Sequence, residues 1–261
     1  MRPRWIALLS ASIAVLIGVM TWAAIGAGVG VGNALGGLGR ERAEASTEFT
    51  TTDSFTVAAD ATLTPRPDGR SSRVWNELLR VTTPEFAASM ITEYQTGDDP
   101  DSDTLAYVAS AEDPTKWVFA ANLAYADDRD LLLTTLVHEY AHMLSLGADD
   151  TDASAVDCDT EWAGAGCLLP DSDLQRFADR FWSGYTDAPA RDNLDADVAW
   201  DFYQAHEEDF AETFAGYVIE PAVDAIGSVI GRKFAFFDAL PEYASARERI
   251  RAEFDLVWRN G

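Results

Sequence analysis

Residues 138–142 read His-Glu-Tyr-Ala-His, and they sit inside a stretch from Asp130 to Leu146 with strong helical periodicity. Leu132, Leu133, Leu136, Val137, Tyr140, Met143 and Leu144 recur at the spacing of one helix face, and Gly147 can cap the end. A helix over 130–146 is therefore predicted. On it, positions four apart share a face, so His138 and His142 stand one turn apart. The chain has three histidines and two of them fall in this pattern. Nothing in packing alone calls for two imidazoles on a buried stripe. The bland alternative is a pair of hydrogen-bonded core or surface histidines.

Two imidazoles in this arrangement can hold one Zn²⁺ at about 2.0–2.1 Å. Glu139 projects beside them and can accept a proton from a metal-activated water, which makes it the expected general base. Such a centre needs a third protein ligand and an open fourth position. Residues 206–214 read HEEDFAETF, in which Glu208 and Glu212 are four apart and share a face. One of them can ligate while the other orients a liganding histidine.

HEYAH followed by the downstream EDFAE helix resembles the gluzincin group of zincin metallopeptidases, to which thermolysin and lethal-factor-type toxins belong. The resemblance spans about residues 104 to 219. It implies that Glu208 is the third zinc ligand and that Glu212 supports His138. It also implies a zincin-like α+β domain, with a small antiparallel or mixed sheet before the HExxH helix and a helical C-terminal part. The separation of His142 from Glu208, 208 − 142 = 66 positions, is far longer than in thermolysin. A metzincin reading fails, because no histidine follows at the spacing H-E-x-x-H-x-x-G-x-x-H.

Other site residues follow from position. His206 is either an exposed helix-start residue, a substrate or oxyanion contact, or an alternative ligand. Tyr203 and Tyr217 can offer a hydroxyl to an oxyanion, or simply pack. Glu207 and Asp209 read as a solvated face. The runs TLAYVAS (104–110) and KWVFAANLAYA (116–126), separated by AEDPT, read as a β-hairpin. In zincins an edge strand before the HExxH helix pairs with extended substrate, and the second run, with Trp117, Phe119 and Asn122, is either that strand or an ordinary half-buried one.

The N-terminus carries Arg2 and Arg4 and then an uncharged apolar run from Trp5 to about Ala27. That is long enough to span a bilayer as one helix and longer than a signal-peptide core. The expected arrangement is a single-pass anchor in 1–39 with a cytoplasmic N-terminus, a stem in 40–72, and the catalytic domain in 73–261 on the far side of the membrane. Cleavage near Ala45 is the alternative and would make the protein secreted. Export suits the two cysteines, Cys158 and Cys167, whose C-x8-C spacing is not that of a zinc knuckle and which are expected to form a local disulfide.

Net charge is -25. The first 45 residues hold four Arg and two Glu (+2), so the rest carries -25 − 2 = -27, with Lys116 and Lys233 as its lysines. Such a surface repels nucleic acid. It reads as a solubilising shell, with cationic peptides or calcium as the functional alternative. Further helices are expected over 74–94 (broken near Thr83-Pro84), 172–184, 195–205, 207–219 and 242–259. The expected function is hydrolysis of a peptide or protein substrate by one zinc ion. A catalytically inactive binding module of the same fold and hydrolysis of a non-peptide amide are the competing readings.

Overall fold

The computed structural model describes residues 49–155, 157–163, 166–182, 206–220 and 228–256. The apolar run 5–27, the expected helix 195–205 and Tyr203 lie outside the described residues. Among those described, no helix is long and apolar enough to cross a membrane.

Strands β1 (Asp53–Val57), β2 (Leu63–Thr64), β3 (Ile91–Gly97), β4 (Ala106–Ser110) and β5 (Trp117–Asn122) form a mixed sheet in the order β2-β1-β3-β5-β4. β3 and β5 are parallel and the other pairs antiparallel. The predicted hairpin is thus β4–β5, with Val108 opposite Phe119. Helix α1 (Gly69–Thr82) begins at Asp68, whose side chain accepts from Ser71 N–H, and Thr83 caps α2 (Pro84–Met90) in the same way through Phe86 N–H. The helix expected to reach Tyr94 instead stops at Met90. Ile91-Thr92 and Thr96 are β-branched, and their segment is claimed by pairing with β1 and β5 on either side.

The stem expected over 40–72 is also corrected. Its residues 53–57 pair with β3, and Phe55, Trp75 and Phe119 each stack against Tyr94 at 5.3–5.6 Å. Phe49-Thr50 crosses β3 so closely that a Cβ on Gly97 would lie 2.3 Å from the Thr50 carbonyl oxygen, which only glycine permits.

Helix α3 (Arg129–Ser145) carries the HEYAH pattern and starts at Asp128, which accepts from Leu131 N–H. Its C-cap is Leu146; Gly147, expected as the cap, instead offers its carbonyl to Asp150 N–H. Residues 135–143 of α3 are all buried, so this helix is enclosed on every side. It packs on α1 and β4 on one flank and on α5 (His206–Ile219) on the other.

A small sheet of β6 (Thr151–Asp152), β7 (Trp162–Ala163) and β8 (Gly166–Leu168) follows α3, in the order β6-β8-β7. Cys158 and Cys167 are joined there, as expected. Closing a loop of this length restrains the unfolded chain by about 2.5–3 kcal/mol on the chain-entropy account. Helices α4 (Asp173–Phe181), α6 (Val229–Asp238) and α7 (Pro241–Glu253) complete the fold around α5. They share an aromatic cluster of Phe177, Phe210, Phe214, Phe237 and Tyr243. α6 was not expected from the sequence. The fold is α+β, a mixed sheet against a mainly helical second half.

Candidate metal centre

α3 and α5 cross with His138 and His142 facing Glu208 and Glu212. His138 Nε2 lies 3.0 Å from His142 Nε2 and 3.3 Å from Glu208 Oε2. His142 Nε2 lies 3.7 Å from Glu208 Oε1. Ligands of a tetrahedral zinc, with bonds of about 2.0–2.2 Å, stand about 3.3 Å apart. These distances, taken to both carboxylate oxygens of Glu208, are close to that spacing, so the three side chains form a triangle near enough to share one such ion. Among the described residues this is the one group of three or more His, Cys, Asp or Glu whose ligand atoms lie within 4.8 Å of one another. The residues fit a divalent cation by donor chemistry too: two imidazoles and a carboxylate.

The electrostatics agree with the geometry. Burial alone would lower the pKa of His138, yet hydrogen bonds to Glu208 and Glu212 and the charges of Glu208 and Glu139 raise it to about 10. The same field that holds a proton there favours a metal cation. His142 is pushed well below the ordinary histidine value by burial and by the His138 charge, so it is the neutral imidazole a metal needs. His142 Nδ1 is buried without a hydrogen-bond partner.

Glu212 Oε2 faces His138 Nδ1 at 3.2 Å, the position of a carboxylate that fixes the tautomer and tilt of a liganding ring. Glu139 is fully buried, with no side-chain hydrogen-bond partner. Burial and the Glu208 charge push its pKa up to about 8, against the opposing pull of His138 and of the Val108 backbone amide. That amide belongs to β4. Asn122 N–H donates to Leu105 C=O and Ala111 N–H to Lys116 C=O, so odd-numbered residues of this strand bond to β5. Ala106, Val108 and Ser110 thus turn their N–H and C=O groups to the unpaired edge of the sheet; Ala106 and Val108 are buried there, Ser110 is exposed, and the Val108 amide lies beside Glu139.

Several sequence expectations are corrected here. The edge strand is β4, not the run KWVFAANLAYA. β5 lies between β3 and β4, its Trp117 and Phe119 are core, and Asn122 ties down the preceding loop through Asp99 and Thr104. His206 is buried to 9% exposure, edge-on to Trp182, with its Nε2 3.6 Å from Glu207 Oε2. It lies about 200° around α5 from Glu208 and is not part of the triangle. Tyr217 lies about 180° from Glu208. Its hydroxyl donates to Asp238 at 2.5 Å, and Arg247 covers its ring, which removes it from any oxyanion role at this centre. Asp209 does not lie on a solvated face: it is 3% exposed and bonded to Lys233. Glu207, also expected in solvent, is mostly covered, and burial raises its pKa to about 7.

Sequence reasoning missed the Val108 amide and Lys233. The signal for Lys233 was its rarity, one of two lysines in a strongly acidic chain. Comparison with protein families, curated proteins and solved structures finds no match for this chain.

Proposed function

We propose that the protein is a zinc-dependent peptidase of the gluzincin kind, with His138, His142 and Glu208 as metal ligands and Glu139 as general base. The observation that carries this reading is the convergence of His138, His142 and Glu208, with one ligand atom of each within 4.8 Å of the others, beside the fully buried carboxylate of Glu139. The zinc ion, when bound, polarises a water and the scissile carbonyl. The chain's own groups do the rest. Glu139 takes the proton from the water and passes it to the leaving amine; a raised pKa suits both halves of that task. Glu212 holds the His138 ring, and the open edge of β4 aligns an extended peptide by main-chain hydrogen bonds. An inactive binding module would have no use for a buried carboxylate beside the triangle.

The decisive experiment compares the parent with Glu139→Gln. The variant keeps its zinc, since all three ligands survive, and peptide cleavage falls by at least about 10²–10⁴-fold. A variant as active as the parent ends this mechanism. The uncharged apolar run 5–27 supports a second part of the reading, in which the domain lies outside the cell on an anchor in 1–39, or is secreted after cleavage near Ala45. Protease added to intact cells then digests it, and protection of the domain would reverse that topology.

A further inference from the structure

Asp209 follows Glu208 directly, and its carboxylate is surrounded by donors from three helical segments. Lys233 Nζ of α6 reaches both of its oxygens at 2.6 Å. Trp182 Nε1, at the end of α4, donates to Oδ2 at 2.8 Å, and Thr213 Oγ1, one turn along α5, donates to Oδ1 at 3.1 Å. Lys233 is itself 3% exposed, with its ammonium 5.6 Å from the ring centre of Phe177. A buried ion pair is weak as a source of stability, because desolvation offsets the attraction and an apolar pair of similar volume does as well. What the charged pair adds is direction.

Direction matters on α5. Its apolar side chains Phe210 and Phe214 pack into a cluster of rings, and apolar burial is non-directional in a way that hydrogen bonds are not. A carboxylate about 5–6 Å from a helix axis moves roughly 2 Å when the helix turns by about 20°. A metal centre tolerates ligand displacements of about 0.2 Å. Asp209 stands about 100° around the axis from Glu208, so bonds that fix Asp209 on α4 and α6 stop such a turn.

We propose that the Asp209–Lys233 pair is a positioning device for the metal centre, setting the rotation of α5 and with it the placement of Glu208 and Glu212 opposite the two histidines. This rests on the metal-centre reading above.

The test uses two double variants of the full chain. Asp209→Leu with Lys233→Met removes every directed bond. Asp209→Asn with Lys233→Met removes the charges, keeps the Trp182 bond on Asn Oδ1 and reverses the Thr213 bond, with Asn Nδ2 donating to Thr213 Oγ1. Metal-free melting, zinc affinity and the cobalt(II) absorption spectrum are measured. So is the NMR signal of the His138 Nδ1 proton shared with Glu212 in metal-free protein. The apolar pair is expected to melt near the parent and to lose zinc affinity by about 10–100-fold, the penalty typical of groups that orient ligands. Its cobalt bands weaken and its His138 proton signal broadens. The neutral pair shows a smaller loss. An apolar pair with parental zinc affinity and an unchanged His138 signal overturns the proposal. So does a loss of affinity that only tracks a fall in melting temperature in both variants, since the pair is then merely structural. A parent that takes up no metal refutes the metal reading; the His138 proton signal then decides the positioning role by itself.

Discussion

Replacing Glu212 by alanine separates a residue that orients a ligand from one that is a ligand. The Glu212 carboxylate meets His138 Nδ1 at 3.2 Å, and its side chain is 31% exposed while that of His138 is 1% exposed. A hydrogen bond to a charged group is worth about 1.5–3 kcal/mol. Here water can partly replace the missing oxygen on the exposed side, so the lower end applies. About 1.4 kcal/mol is a factor of ten in a dissociation constant. Glu212→Ala is therefore expected to weaken zinc binding roughly tenfold, at the low end of the 10–100-fold range for such groups. Competition with a chromophoric chelator measures it directly. In the same assay Glu208→Ala strips the ion or weakens it far more severely. His206→Ala leaves zinc binding unchanged, because that ring faces Trp182 on another side of α5. An unchanged affinity in Glu212→Ala, or a loss as large as that of Glu208→Ala, would rule out an orienting role for Glu212. Zinc lost with His206→Ala and kept with Glu208→Ala would make His206 the third ligand and leave His138 and His142 in place.

Two further predictions concern pH and the strand edge. In metal-free protein both His138 (raised to about 10) and Glu139 (raised to about 8) carry folded pKa values above their unfolded ones. The stability from Glu139 is full below its unfolded value of 4.5 and lost as pH rises through about 8; that from His138 is full below 6.5 and lost through about 10. Below pH 6.5 the depressed His142 acts in the opposite direction, so chelated protein should melt at lower temperature as pH rises from about 6.5 to about 10, more gently in Glu139→Gln, and a flat profile in both proteins contradicts the assignment. Val108→Pro removes an edge N–H without breaking a ladder bond, which edge strands tolerate. Because that amide also acts on Glu139, peptide turnover should fall through both KM and kcat at unchanged zinc content, and unaltered kinetics would remove β4 from the site.

Much of this protein is written locally. The HEYAH helix, the β4–β5 hairpin, the start of α5 and the cysteine pair follow from spacing within short windows, and the structure carries each of them. The partnership of Glu208 and Glu212 with the histidines was also legible. A shared helix face and a shared metal chemistry point the same way even across 66 positions. Local rules failed where pairing partners are distant. Ile91–Gly97 reads as a continuation of a helix until β1 and β5 flank it. Residues 53–57 read as a stem until Phe55 meets Tyr94.

Three decisions belong to the tertiary structure alone. Which hairpin strand forms the open edge depends on whether β3 pairs with β5 or β4, a choice between two apolar faces that the hairpin sequence leaves equal. Whether Asp209 is solvated depends on where α6 delivers Lys233, 24 positions away. Whether His206 and Tyr217 reach the candidate metal centre depends on the rotation of α5 against α3. Periodicity says which residues share a face; it does not say which way the face turns. That is decided by directed contacts from other elements, and here the buried carboxylate beside Glu208 collects them from α4 and α6.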